Sequence, residues 1–283
     1  MGNILTVTNK VISNLNNWKV EINNGVYRPY LTVRQVNKVG RRHWLRCSRQ
    51  NRDVHLLSDG ERRAYSILLN TVGTVSVMEQ YALDIDETMD IAIEKNVIHP
   101  RNHKNNEATV MTTDFIVKKL APLKDQMITI AYTFKYADQI FEEGGFNRKP
   151  KSYRTWQKFD IEREYWNRRG VEYRVITELD ATKELFWNVE FCAPAAQLVF
   201  DNDLIFSFVQ TFQRCWLSDP IASLKVLINN TAELIGRKYD LVLQLFKYTV
   251  INELLPIKHN QCIRFFRSIE LNKKAISLSN ADV

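Results

Sequence analysis

Two stretches of this 283-residue chain hold residues whose types and spacing could do chemistry: VMTTDFIV at 110–117 and MITIAYTFKYA at 127–137. Both are rich in β-branched and aromatic residues and alternate with period 2, the pattern of strands with two different faces. In the first, Val110, Thr112, Asp114 and Ile116 share a face. In the second, Ile128, Ile130, Tyr132, Phe134 and Tyr136 form an apolar face, while Thr129, Ala131, Thr133 and Lys135 point the other way. Residues two apart on a strand lie about 7 Å apart on the same side, so Thr133 and Lys135 address one space. The intervening KKLAPLKDQ is short and polar, which makes the two strands a hairpin. An acid on one strand and a polar-x-Lys on its neighbour is the skeleton of a metal-dependent phosphodiesterase site. The carboxylate would hold Mg²⁺, a hard cation that takes oxygen ligands. The lysine would position water and offset charge developing on a phosphate. Asp and Lys near strand ends are also commonly just solvated, so the surrounding elements decide the matter.

The elements that would position this pair are readable on both sides of it. Ser58-Asp59-Gly60-Glu61 fits a capping box and opens a helix, with Ser58 as N-cap. Glu61 then has two readings. It either only reaches back to the cap, or it joins the inward face of Ala64, Tyr65 and Leu68, where a carboxylate needs a partner such as a cation. Residues 72–82 look extended. Among the acids at 84–90, Asp86 or Glu87 is expected to open a short helix running to Lys95, favoured there by the helix dipole. A further helix is expected at about 155–169, closed by Gly170, with Glu162 on the side of Phe159 and Trp166. VEYRVIT at 171–177 reads as another strand. Helix, strands, helix, strand is the order of a mixed α/β core of the restriction-nuclease type.

Upstream, residues 1–27 are asparagine-rich and read as a partly ordered arm, and YLTVRQV and HWLRC within 28–57 read as strands. From about residue 179 the character is helical, with helical periodicity at 203–217, roughly 219–235 and 238–255. Ser218-Asp219-Pro220 marks the start of the second of these. CIRFFRSIEL at 262–271 alternates like one strand of a wing. The expected organisation is therefore a catalytic domain over 1–178, including an N-terminal arm at 1–27, and a mainly helical, winged-helix-like domain over 179–283.

Composition narrows the class of partner. The net charge is +7, and seven basic residues fall between Arg34 and Arg52 before any acid intervenes, among them Arg41, Arg42 and Arg46. A second basic run, with Arg148, Lys149 and Lys151, follows the central hairpin. Two basic runs flanking a phosphodiesterase site are expected to contact DNA phosphates. The four cysteines are far apart, without a CxxC pair, which argues against structural zinc and a disulfide framework and fits a reducing cytosol. There is no uninterrupted apolar run of membrane-spanning length and no visible secretory signal.

Four blocks in this order resemble the TnsA endonuclease family of cut-and-paste transposons: HLLSDGERRAYSIL at 55–68, IAIEKNVIHP at 91–100 with MTTDFIV at 111–117, ITIAYTFKYA at 128–137, and FDIEREYWNRRGVEYRVITE at 159–178. The resemblance covers about residues 28–178 and implies a restriction-nuclease fold with Glu61, Asp114 and Lys135 as the catalytic set. It implies that Glu61, Asp114 and the backbone carbonyl of Phe134 hold Mg²⁺, for which Mn²⁺ would substitute. Glu162 would be an auxiliary polar group. One position departs: the general nuclease pattern has an acid two residues before the lysine, and this chain has Thr133. The resemblance further implies cleavage of the 5′ ends of a transposon, beside a TnsB-type transposase and a TnsC-type ATPase regulator. A stand-alone nuclease of the same fold, or a catalytically weak DNA- or ATPase-binding subunit, are the alternatives.

Overall fold

The computed structural model describes residues 5–36, 40–121, 126–141 and 152–272. Its first element corrects the expectation of an arm: α1 (Asn9–Asn23) is a helix capped by Thr8. Val11, Leu15, Trp18 and Ile22 form a narrow apolar stripe at helical spacing, which the many asparagines obscure in the sequence. The stripe packs with Ala82, Ile85, Ala108 and Val110. Trp18 is buried, donates from Nε1 to the Arg28 carbonyl at 2.9 Å, and meets Tyr30 and Tyr81 edge-on.

The next region is less β-rich than expected. Residues 30–36 form turns, with the Gln35 N–H bonded to the Thr32 carbonyl. HWLRC is a strand, β1 (His43–Cys47), and it pairs antiparallel with β2 (Arg52–Leu56), which the sequence reading passed over. Then come α2 (Asp59–Asn70), β3 (Thr74–Ala82) and α3 (Ile85–Glu94). The cap of α3 is Asp84, whose Oδ1 accepts the Asp86 and Glu87 N–H groups; those two acids lie in the first turn and do not open it. A two-residue ladder, β4 (Arg101–Asn102) with β5 (Glu107–Ala108), precedes the long strands β6 (Thr112–Leu120) and β7 (Met127–Phe134). The unit is completed by a single turn α4 (Ala137–Ile140), the helix α5 (Tyr153–Asn167) and β8 (Glu172–Ile176).

Strands β3, β6, β7 and β8 make one mixed sheet in that order, antiparallel except for the β7–β8 pair. The period-2 pattern assigns its two faces. Phe115, Val117, Ile130, Tyr132 and Phe134 pack under Ala64, Tyr65 and Leu69 of α2 and Val54 and Leu56 of β2. Ile116 and Ala131 point the other way, onto Ile91 of α3 and Ile161, Tyr165 and Trp166 of α5. The sheet is thus buried on both faces, and the hairpin β6–β7 is its middle. Helix α2 approaches β7 closely at Gly60, where an added Cβ would stand 2.0 Å from the Phe134 ring. β2 is tied to β3 by a buried pair, Arg52 Nη2 to Glu79 Oε2 at 2.6 Å.

The chain divides into two compact units, residues 1–69 with 73–181 and residues 70–72 with 182–283. The second is helical: α6 (Lys183–Cys192), α7 (Asn202–Ser218), α8 (Leu224–Leu234) and α9 (Tyr239–Ile251). α8 begins at its cap Ser223, not at Ser218-Asp219-Pro220, because residues 219–222 form a turn first. The wing strand expected at 262–271 is a correction of substance. That segment is irregular and makes only an isolated bridge, Ile257 to Leu271, among the described residues. Its alternating apolar residues Ile263, Ile269 and Leu271 are buried in the helical unit instead, and Phe266 is exposed. Among the described residues no helix is long and apolar enough to cross a membrane, and the four cysteines are free.

Candidate active site

Glu61 keeps contacts at the helix cap and is also turned inward. Its N–H donates to Ser58 Oγ at 3.0 Å, and Ser58 Oγ in turn donates to Glu61 Oε1 at 3.2 Å. The other carboxylate oxygen, Oε2, accepts the Leu57 N–H at 2.8 Å. The side chain is buried all the same, and it lines a cavity of about 570 Å³ with Asp114, Thr133, Lys135 and Glu162. The structure therefore brings together the acid of β6, the polar-x-Lys of β7, the acid at the start of α2 and the acid of α5.

Asp114 is fixed across the hairpin: its Oδ2 accepts the Phe134 N–H at 2.8 Å. Lys135 follows the last residue of β7, and its N–H donates to the Ile176 carbonyl at 3.0 Å, which extends the pairing with β8 by one position. Glu162 reaches up from α5 to the sheet. Its Oε2 accepts the Thr133 hydroxyl at 2.7 Å and the Thr113 hydroxyl at 3.2 Å, and Thr113 Oγ1 accepts the Trp166 indole N–H at 2.9 Å. The threonine that departs from the nuclease pattern is thus bonded to a carboxylate supplied by a helix.

Removal from water dominates the electrostatics. Burial, reinforced by the neighbouring Asp114 charge, pushes the Glu61 carboxyl up to about 8. Burial raises Asp114 as well, against the pull of Lys135 and the Phe134 N–H. Burial takes Glu162 up to about 7, against the Thr133 hydrogen bond. The charge of Lys135 lowers all three, so it is felt across the whole site. Buried acids that resist ionisation beside one another form an oxygen-rich donor set with unmet demand for positive charge. Glu61 and Asp114 are oxygen donors of the kind a hard cation takes, while among the described residues no group of three or more His, Cys, Asp or Glu side chains stands together to hold a metal ion.

The basic residues fare unevenly. Arg41 and Arg46 are exposed, the latter beside Asp53 and Asn51. Arg42 Nη1 is committed to the backbone carbonyls of Val33 and Val36, and it lines the cavity. Arg49 and Arg52 likewise hold carbonyls or Glu79. About half of the first basic run is therefore internal scaffolding. Arg148, Lys149 and Lys151 lie outside the described residues.

Two cavity residues escaped the sequence reading. Lys158 stands one helical turn before Glu162, and burial together with Arg154 and Lys135 lowers its ammonium pKa. Gln80 of β3 is buried, and its Nε2 lies 3.3 Å from both Glu61 Oε2 and Asp114 Oδ1. The available signal was the polar pair Glu79-Gln80 inside an otherwise strand-like run, since adjacent buried polar residues must be satisfied on both faces of a sheet.

A mixed sheet buried between helices, with acids and a lysine converging at the end of its central hairpin, is a restriction-endonuclease-like α/β fold followed by a helical region. Residues 73–178 match the family described as TnsA-like endonuclease N terminal. The chain is also 29% identical over 166 residues to the transposon Tn7 transposition protein TnsA of Escherichia coli, a match covering 58% of this chain and 55% of that protein. The match thus spans about half the length of the curated relative. The segment matched to that family model, residues 73–178, includes Asp114, Lys135 and Glu162. Glu61 lies before the matched segment.

Proposed function

We propose that this chain is a DNA endonuclease subunit of a transposition system, cleaving phosphodiesters at transposon 5′ ends. The observation that carries the reading is the convergence of Glu61, Asp114 and Lys135, from three separate elements, on one cavity. Glu61, Asp114 and the Phe134 carbonyl are the groups that would hold a divalent ion, with Mg²⁺ as the expected species. Such an ion, when bound, supplies charge neutralisation at the phosphate and lowers the pKa of a water molecule.

The remaining work falls to the protein. Asp114, held by the Phe134 N–H, presents Oδ1 to the site in a fixed orientation. Lys135, one residue beyond the strand and braced by Ile176, orients the attacking water and offsets the charge that develops on the phosphoryl oxygens. Glu162 occupies the neighbourhood where the general pattern places a strand acid, and Thr133 holds it there. We assign Thr133 and Glu162 auxiliary roles on that basis. Exposed Arg41 and Arg46, with Arg148, Lys149 and Lys151, are proposed to contact the DNA backbone, where phosphate contacts position and carry no sequence information. On the family resemblance, a TnsB-type transposase and a TnsC-type ATPase would complete the assembly, and the domain over 179–283 is proposed as the site of partner contact.

The test is strand-specific cleavage of a labelled transposon end in Mg²⁺ with the cognate transposase and regulator, comparing wild type with Asp114→Ala. Cuts at the 5′ end that vanish in the variant, while 3′-end cutting persists, support the reading. A wild-type protein that makes no 5′-end cut in a mixture that cuts 3′ ends would leave it a structural subunit.

A further inference from the structure

Gln80 is the residue of the site whose conformation most needs an explanation. It sits within β3, yet its φ is +53°, the left-handed region that residues with a side chain rarely adopt. Such a backbone angle on a non-glycine residue is strained and persists only where the surroundings over-determine it. The conformation places the buried amide among three polar partners. Nε2 faces Glu61 Oε2 and Asp114 Oδ1, each at 3.3 Å, and Oε1 accepts the Thr112 hydroxyl at 3.1 Å.

Resting on the metal-dependent reading above, we propose that Gln80 is a ligand of the divalent ion through its amide oxygen, the third side chain of a set with Glu61 and Asp114. Two features support this. The first is distance. An octahedral ion with ligands at about 2.1 Å sets neighbouring oxygens about 3.0 Å apart. The amide terminus already stands within a few tenths of an ångström of that separation from one oxygen of each carboxylate. The second is reversibility. Turning the amide over exchanges O for N without changing its shape, and the Thr112 hydroxyl can accept as readily as it donates. The same side-chain position then serves two states. Without a cation the N–H groups lie against the two carboxylates; with one, the oxygen turns to it while Thr112 keeps its bond.

The experiment is calorimetric titration of the full chain with Mn²⁺ at pH 7.5, without DNA. Wild type is compared with Asp114→Ala, Gln80→Leu, Gln80→Asn and Gln80→Glu, and each variant is checked for folding by circular dichroism and melting in EDTA. Loss of an amide ligand should weaken binding at least about tenfold in the leucine variant. The asparagine variant keeps the amide and tolerates the left-handed backbone, but is one methylene short, and should weaken it similarly. It decides the matter if the leucine variant does not fold. Gln80→Glu should bind at least as tightly as wild type. Unchanged or tighter Mn²⁺ binding in the folded leucine or asparagine variant overturns the proposal, tighter binding meaning that the amide competes with the ion. Wild-type protein with no binding that depends on Asp114 would instead overturn the metal-dependent reading itself.

Discussion

Replacing Glu162 with glutamine should stabilise the metal-free protein, by a margin that grows as pH rises from about 4.5 to about 7 and is full above that. The carboxyl is buried against Thr113 and Thr133, and burial raises its pKa from the ordinary value of 4.5 to about 7. A carboxyl whose folded pKa lies above its unfolded value binds more protons in the native state. Its contribution to stability is complete below the unfolded value and is lost as pH rises through the folded one. At roughly 1.4 kcal/mol per pH unit, the displacement from 4.5 to about 7 corresponds to about 3 kcal/mol at full ionisation. Between pH 5 and pH 8.5 the wild type should lose about 2–3 kcal/mol from this group. Glutamine keeps an oxygen to accept the two threonine hydroxyls and carries no charge to desolvate. Glu61 and Asp114, also raised, are present in both proteins and largely cancel in the comparison. Urea or thermal melts in EDTA at the two pH values should therefore give nearly equal stabilities at pH 5. At pH 8.5 the variant should melt about 5–10 °C higher, at about 2–4 °C per kcal/mol for a unit of this size. A pH-independent difference, or a wild type that is the more stable protein at pH 8.5, would show that Glu162 is comfortably ionised where it lies and refute the reasoning.

Gly60→Ala should impair both stability and cleavage. Its Cβ would stand 2.0 Å from the Phe134 ring, and the Phe134 N–H holds Asp114. Overpacking of this kind costs about 1–3 kcal/mol, readable by urea denaturation; a variant with wild-type midpoint and cleavage rate would show that the helix–strand approach is not constrained. Trp18→Ala should cost about 3–5 kcal/mol through its cavity, since the ring is buried and its N–H bonded to the Arg28 carbonyl. A cost below about 1 kcal/mol in the same assay would mean that α1 contributes little to the fold.

The central hairpin was legible because its two faces are written in alternation. Ile130, Tyr132 and Phe134 could only pack one way, and that choice sends Thr133 and Lys135 to the side of Asp114. Glu61 was legible from the cap and the apolar stripe that follows it, although the sequence left open whether it faced the helix cap or the interior; it keeps hydrogen bonds at the cap and also lines the cavity. Local signals failed where the structure is settled by distant partners. YLTVRQV has the composition of a strand but takes turns instead, and Tyr30 gives its N–H to the Gln80 carbonyl. The alternating residues 262–271 are folded onto helices instead of a neighbouring strand.

The sequence by itself determined the faces of the strands, the caps of several helices and the identity of the acids and the lysine, because these depend on chemistry within a few residues. Only the tertiary structure decided which charges are exposed surface and which are scaffold. Arg42, Arg49 and Arg52 read the same as Arg41 and Arg46 until their carbonyl and carboxylate partners, up to 27 residues away, are in place. It also decided that Gln80 would meet Glu61 and Asp114. That meeting joins a strand, a helix start and a second strand, and depends on a left-handed backbone angle that no neighbouring residue announces. A hydrogen bond is a short-range contact, and the chain must fold before residues remote in sequence come close enough to make one.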